Sequence, residues 1–175
     1  MKFQQLPHKI LKIFLVSNLQ TTYYKTPIGI AKIMGNTNGI QAIFWVDKIT
    51  ETPTKTTDCL HNCVVQLSEY FAGIRTTFDL KLNPQGTDFQ QKVWAELLNI
   101  PFGKSTTYLQ QSKQLANPKA IRAVASANGK NPISIIIPCH RVIGSDGSLT
   151  GYAGGLWRKK WLLEHESDCK QQSLF

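Results

Sequence analysis

Residues Asn117–Gly144 read NPKAIRAVASANGKNPISIIIPCHRVIG. Asn117 offers a helix N-cap and Pro118 suits the first helical position, so a helix is predicted from there to about Asn128, stopped by Gly129. The run Ile133–Ile137, ISIII, is mostly β-branched and reads as a buried strand or extended segment. It delivers Pro138, Cys139, His140 and Arg141 in succession. A cysteine that only fills a core needs neither a base nor a cation beside it. A thiol has a free pKa of about 8.5 and becomes a strong nucleophile when a base or cation helps remove its proton. His140 and Arg141 supply one of each. Successive strand residues point to opposite faces. Cys139 and His140 therefore cooperate only if the chain turns there, or if a water bridges them. Pro138 suits a turn, because it fixes φ and donates nothing to a ladder.

Outward from this stretch the pattern is mostly helical. A helix is predicted over roughly Thr107–Ala116, and with the next one it forms a helix-turn-helix candidate. In the second helix Ile121, Val124 and Asn128 share one side, with Ile121 and Val124 facing the core. Lys119, Arg122, Ala123 and Ser126 share the other. Small residues and two cations on an open face let the backbone press close to a phosphate-lined groove. Upstream, Thr87 and Gln90 form a capping box for a helix striped by Phe89, Val93, Trp94, Leu97 and Leu98. Downstream, a final helix carries Trp157, Trp161, Leu162 and Leu163.

The first 80 or so residues read as α+β. Two apolar arms flank Gly35–Gly39, GNTNG, which is a hairpin signal. In the second arm Ile40, Ala42, Phe44 and Val46 alternate onto one face. Leu60, Val64, Leu67 and Phe71 recur at helical spacing before a stop at Gly73, and Asp79–Gly86, DLKLNPQG, is a linker. The expected division is 1–82 and 83–175.

Composition is that of a globular protein, with 42% hydrophobic and 18% charged residues in 175. The net charge is 20 − 11 = +9, spread over both halves, and such a surface attracts polyanions such as nucleic acid. The segment Ile10–Val16, ILKIFLV, is broken by Lys12 and reads as a strand, not a signal peptide. No apolar run is long enough to cross a bilayer. A cytoplasmic protein with reduced thiols is expected. Cys59, His61 and Cys63 lack a second ligand pair, so no metal is expected there. His8, His61 and His165 are expected at the surface or in structural roles.

IPCHRVIG, Ile137–Gly144, resembles the active-site signature of the O6-alkylguanine-DNA alkyltransferases, also called methylated-DNA–protein-cysteine methyltransferases. TPIG, YFAG, FQQKVW, IPFGKSTTY, NPKAIRAVASANGKNP and GYAGGLWRKKWLLEHE follow the family's order and spacing, from about Tyr23 to Glu166. The resemblance implies an N-terminal ribonuclease-H-like α/β domain, then a helical, winged-helix-like domain with the helix-turn-helix. It implies that Cys139 accepts the alkyl group, His140 deprotonates it through a water and Glu166 orients the histidine. Asn131 braces the turn, and Tyr108 donates to the leaving guanine. Arg122 fills the gap left by a flipped nucleotide, within a DNA-binding surface of Lys119, Ala120, Ile121, Ala123 and Ser126. Pro138, Val142, Tyr152 and Ala153 line the substrate pocket. The implied partner is double-stranded DNA carrying O6-alkylguanine, with O4-alkylthymine a further candidate, bound by a monomer through the minor groove. No cofactor is implied. Alkyl transfer gives a thioether, which lacks the hydrolytic route of a thioester, so each molecule acts once.

Three positions depart from the common family pattern. Gln111 stands where many relatives are apolar, which bears on the packing of the first helix of the pair. Ile121 replaces a frequent alanine, and Ala153 stands where some members carry a serine. Three other readings compete. A relative that binds alkylated DNA without transfer lacks the cysteine that this chain has. A helix-turn-helix regulator needs residues that read base edges, and this helix is mostly alanine there. A cysteine hydrolase predicts turnover on a small ester or amide.

Overall fold

The structure, a computed structural model, describes residues 19–50, 52 and 58–172, with side chains of the last helix described to Ser167. The strand expected over Ile10–Val16, and His8, lie outside the described residues. Strands β1 (Gln20–Thr26), β2 (Gly29–Asn36) and β3 (Gly39–Val46) form an antiparallel sheet in the order β1-β2-β3. The predicted hairpin is present, tightened by a hydrogen bond from Asn38 N to Asn36 Oδ1 of 2.8 Å and a positive φ at Gly39. The expected alternation in the second arm is not. Gly35 pairs with Ile40 but Met34 with Ala42, so Gln41 is an extra residue in a bulge. One added residue reverses the facing of everything after it. Ile40 and Ile43 are therefore the buried pair, while Phe44 is 41% exposed.

Helix α1 (Asp58–Phe71) packs Leu60, Cys63 and Leu67 into the core against this sheet and ends before Gly73, whose φ of 74° closes it. The outer edge of β3 is occupied by two later segments. Ile40 N donates to Lys81 O (2.8 Å) and accepts, through its carbonyl, from Asn83 N (2.7 Å). Ile43 exchanges equivalent bonds with Pro132 O and Ser134 N. The sheet edge is thus satisfied by the chain that leads to Cys139.

Helix α2 (Asp88–Leu97) starts in the predicted capping box, with Gln90 N donating to Thr87 Oγ1 and Thr87 N to Gln90 Oε1. Its Trp94 indole donates to Ala127 O (2.8 Å). Strand β4 (Thr106–Thr107) leads into α3 (Tyr108–Gln114), capped by the Thr107 hydroxyl. A 3-10 turn (Pro118–Ala120) then opens α4 (Ile121–Gly129). Pro118 holds the expected first position, but the Asn117 side chain makes no capping bond. Gln111 settles the packing of this helix pair. It is fully buried and forms an amide pair with Asn128, whose Nδ2 donates to Gln111 Oε1 (2.8 Å). A polar residue is accepted because its partner sits opposite. Val124 is buried as expected, whereas Ile121 is 37% exposed and joins the open face.

Ile133–Ile137 is buried but is not a strand. Only Ile133 bridges to β3; the rest is a succession of turns with Ile135 at φ 72°. A 3-10 turn (Cys139–Arg141), strand β5 (Val142–Ile143) and helix α5 (Leu156–Gln172) complete the chain. In α5 Leu162 is fully buried, while Trp157 is exposed. A single apolar cluster joins both halves, from Ile33 and Ile43 of the sheet to Val93, Val124 and Leu162 of the helices. Among the described residues no helix is long and apolar enough to cross a membrane.

Candidate active site

The cysteine sits where a strained run of backbone is held by one amide. Ile135 is β-branched and left-handed, a conformation that costs about 1–3 kcal/mol. Asn131 spans the run. Its Oδ1 accepts from Ile133 N (3.0 Å), and its Nδ2 donates to Ile137 O (2.7 Å) and to Cys139 Sγ (3.1 Å). One side chain thus fixes the turn and touches the thiol. Arg141 N donates to Pro138 O (3.0 Å), which starts the 3-10 turn. The turn answers the facing problem of an extended chain, because Cys139 and His140 no longer alternate across a strand.

Behind the thiol lies a buried ionic centre. Glu166 Oε1 takes His140 Nε2 (2.8 Å), the Tyr70 hydroxyl (2.9 Å) and an Arg141 NH2 group (3.0 Å). Glu166 Oε2 takes Arg141 Nε (2.9 Å) and Gly103 N (3.2 Å). Burial alone would raise this carboxyl, but the bonds and charges of His140 and Arg141 hold it down to about 2. It is therefore ionised and fully coordinated. Burial lowers the pKa of His140, so the imidazole is neutral at pH 7. With Nε2 donating to Glu166, Nδ1 is the acceptor; it is buried and has no hydrogen-bond partner among the described residues. Burial pushes the Cys139 thiol up, against lowering by Asn131 and Lys159, so the resting thiol keeps its proton until a base takes it.

A short parallel ladder places the tyrosine. Thr106 pairs with Val142 and Thr107 with Ile143, so the residue after β4 and the turn before β5 are held side by side. Tyr108 donates its hydroxyl to Thr150 O (3.0 Å). Lys159 Nζ donates to the same carbonyl (2.7 Å) and to Val142 O (2.6 Å). Lys159 is fully buried, and burial lowers it to about 8, opposed by its attraction to Cys139. Burial raises Tyr108, which stays a donor at neutral pH.

The structure brings together two neighbouring hydrogen-bonded pairs, Cys139 with Asn131 and His140 with Glu166, with Tyr108 and Lys159 alongside. It does not gather the expected pocket residues into one lining. Ala153 lines an open cleft of about 210 Å3 with Asn131, Ser134 and Trp45, whereas Pro138 lines a separate cavity with Phe102 and Arg141. Val142 is buried in the ladder. The Tyr152 hydroxyl and the Trp45 indole nitrogen lie close enough to interact, though neither completes a hydrogen bond. On the helix-turn-helix, Lys119, Ile121, Arg122, Ala123 and Ser126 are exposed and Ala120 is partly covered.

Sequence reading missed Tyr70, Lys159 and the part played by Arg141. Tyr70 follows Leu67 by three on the buried stripe of α1, which is a usable signal for its burial but not for its partner. A lysine within RKKW gives no hint that it is the buried one. His61 is exposed, His165 stacks on Trp161 at 4.8 Å, and burial raises Cys63 to about 12. Among the described residues no group of His, Cys, Asp or Glu side chains could hold a metal ion.

Comparison with known proteins gives a consistent result. Residues 19–84 match the ribonuclease-like domain of 6-O-methylguanine DNA methyltransferase, and residues 88–168 match its DNA-binding domain. A methylated-DNA–protein-cysteine methyltransferase from Methanosarcina acetivorans is 44% identical over 151 residues, 83% of this chain and 97% of that protein. The crystal structure of the Mycobacterium tuberculosis O6-methylguanine methyltransferase superposes with a TM-score of 0.78 at 42% identity, covering 86% of this chain and 93% of the other. A crystal structure of the M. tuberculosis protein in complex with DNA gives 0.77 at 43% identity, over 86% and 93% of the two chains.

Proposed function

This chain belongs to the 6-O-methylguanine DNA methyltransferase family and repairs DNA by alkyl transfer, and from that premise we propose that Cys139 is the acceptor, spent after one event. The observation that carries the assignment is the contact of Asn131 Nδ2 with Cys139 Sγ, in front of the His140–Glu166 pair. His140 Nδ1 takes the thiol proton through a bridging water, and ionised Glu166 steadies the imidazolium that forms. The thiolate attacks the saturated carbon on O6 of guanine; the S–C bond forms as the C–O bond breaks. Tyr108 gives its proton to a ring nitrogen of the departing base, which leaves poorly as an anion. The proton held by His140 returns the tyrosine to its neutral form through solvent when the base departs.

The target lies inside a duplex and must be extruded, at a cost of a few kcal/mol. The exposed face of α4 is the surface for this. Its small residues allow close approach to the minor groove, and Arg122 enters the stack where the nucleotide was. Residues 1–82 and 83–175 are the two functional divisions. The protein works as a monomer in the cytoplasm, where its acceptor thiol stays reduced.

The test is incubation with excess duplex carrying O6-methylguanine, followed by intact mass and peptide mapping. The expected outcome is a gain of one methyl per chain, located on Cys139 and not on Cys59, Cys63 or Cys169. Repair that continues past one equivalent, or a label on another cysteine, rejects the assignment.

A further inference from the structure

We propose that the N-terminal sheet forms one wall of the alkyl-binding cleft, and that Arg158 is the positioning residue that latches the facing loop against it, so that this domain sets which alkyl groups are transferred efficiently. The inference rests on the reading of Cys139 as the acceptor. The cleft of about 210 Å3 is lined from the sheet by Ala42, Phe44 and Trp45, and from the other side by Asn131, Ala153 and Gly154. Asn131 also touches Cys139 Sγ, so one side chain links the lining of the cleft to the reacting atom.

The two walls are tied together by one side chain. Arg158 Nε donates to Ile28 O (2.7 Å), in the turn between β1 and β2, and an Arg158 NH1 group donates to Gly154 O (2.7 Å), in the loop before α5. Its guanidinium lies 5.1 Å from the ring of Trp45 and 4.4 Å from that of Trp157. The fit is close on both sides. A Cβ at Gly154 would stand 2.6 Å from Trp45 Cδ1 and Nε1, and one at Gly29 would stand 3.0 Å from the Arg158 guanidinium. Gly29 also has a φ of 117°, which strains any other residue.

The size of the cleft indicates the substrate class. A dry cavity of roughly 150 Å3 holds benzene. On this proposal a methyl group makes little use of the sheet wall, whereas an arylmethyl group is of a size to be held between the two walls. Its transfer gains from both walls, and the gain depends on the latch. Ala153 adds no hydroxyl to a wall that already carries Asn131 and Ser134.

The test compares single-turnover transfer rates from duplexes carrying O6-methylguanine and O6-benzylguanine, read as benzyl mass or methyl mass on Cys139. Arg158→Ala is expected to lower the benzyl-to-methyl rate ratio by about tenfold, the size of effect that a poorly filled apolar pocket produces. Arg158→Lys is expected to recover part of the ratio, since it keeps a cation but loses the forked geometry. Phe44→Ala changes a partly exposed side chain and leaves the latch intact, so it should fold normally and lower the same ratio. If wild-type protein is alkylated on Cys139 and both alanine variants keep the wild-type ratio, the wall and latch are wrong while the acceptor assignment stands. If wild-type protein takes no alkyl group on Cys139, both readings fall.

Discussion

The ionic centre behind Cys139 and the exposed face of α4 both carry an arginine, but in opposite settings. Arg141 is buried, and its guanidinium is fixed by Glu166 and by Ile100 O (2.6 Å). Arg122 stands in solvent on a helix of small residues. One guanidinium is committed when the chain folds; the other is left in solvent. Charges buried in a satisfied network contribute to the fold and to the chemistry together, so a change there cannot separate the two. Charges on an open face cost the fold little, and on the proposed reading their removal should show only when DNA is present.

Breaking the buried side should give the largest effect. Glu166→Gln leaves Arg141 without its counter-charge, and loss of one partner of a buried pair costs about 3–5 kcal/mol. Both thermal stability and transfer rate should fall, as measured by calorimetry and single-turnover assay. A variant with unchanged melting temperature and slow transfer would show that Glu166 serves the chemistry alone.

The open side gives the sharper contrast. Arg122→Ala should leave melting unchanged and slow repair of duplex DNA on the order of tens-fold, equivalent to ~2 kcal/mol of the cost of extrusion. Transfer from free O6-benzylguanine, which needs no extrusion, should stay near wild type. Equal losses on both substrates would remove Arg122 from the stack and place it in the chemistry or the fold.

Acid should act on the buried side only. His140 has a folded pKa below its ordinary 6.5, so the unfolded chain binds this proton first and stability falls as pH drops below 6.5. Glu166 is depressed to about 2 from 4.5, so its stabilisation is complete above pH 4.5 and is lost between there and about 2. Transfer should hold from neutrality through pH 6.5 and decline only as pH approaches the lowered folded pKa of His140, as a pH–rate profile would show. DNA binding by α4 should not share that limb.

The smallest effect belongs to Lys119→Ala. It should weaken DNA binding about equally for all sequences and reduce the slope of log affinity against log salt by about one. A change confined to one sequence would mean base readout instead.

Local signals made much of this molecule legible. The capping box at Thr87, the hairpin at Gly35–Gly39 and Pro118 at a helix start depend on neighbouring residues, and all appear in the structure. Pro138, which fixes φ and donates nothing to a ladder, suited a turn at Pro-Cys-His-Arg, and a turn is present. Where composition stood in for geometry, the reading failed. Ile133–Ile137 has the residues of a strand, yet Asn131 and the edge of β3 impose turns on it. The bulge at Gln41 reverses a face without any mark in the sequence, because it depends on register with β2.

The sequence by itself determined the helix pair and the family and offered Cys139 and His140 as the candidate nucleophile and base, since each is written in contiguous residues or at short spacing. Tertiary structure alone decided that Tyr70 meets Glu166, that Lys159 is buried, and that Arg158 lies over the ring of Trp45. These contacts join residues 96 and more positions apart or rest on burial, and burial is a property of the packed chain. A hydrogen-bonding side chain has no preferred partner until folding removes water as the alternative.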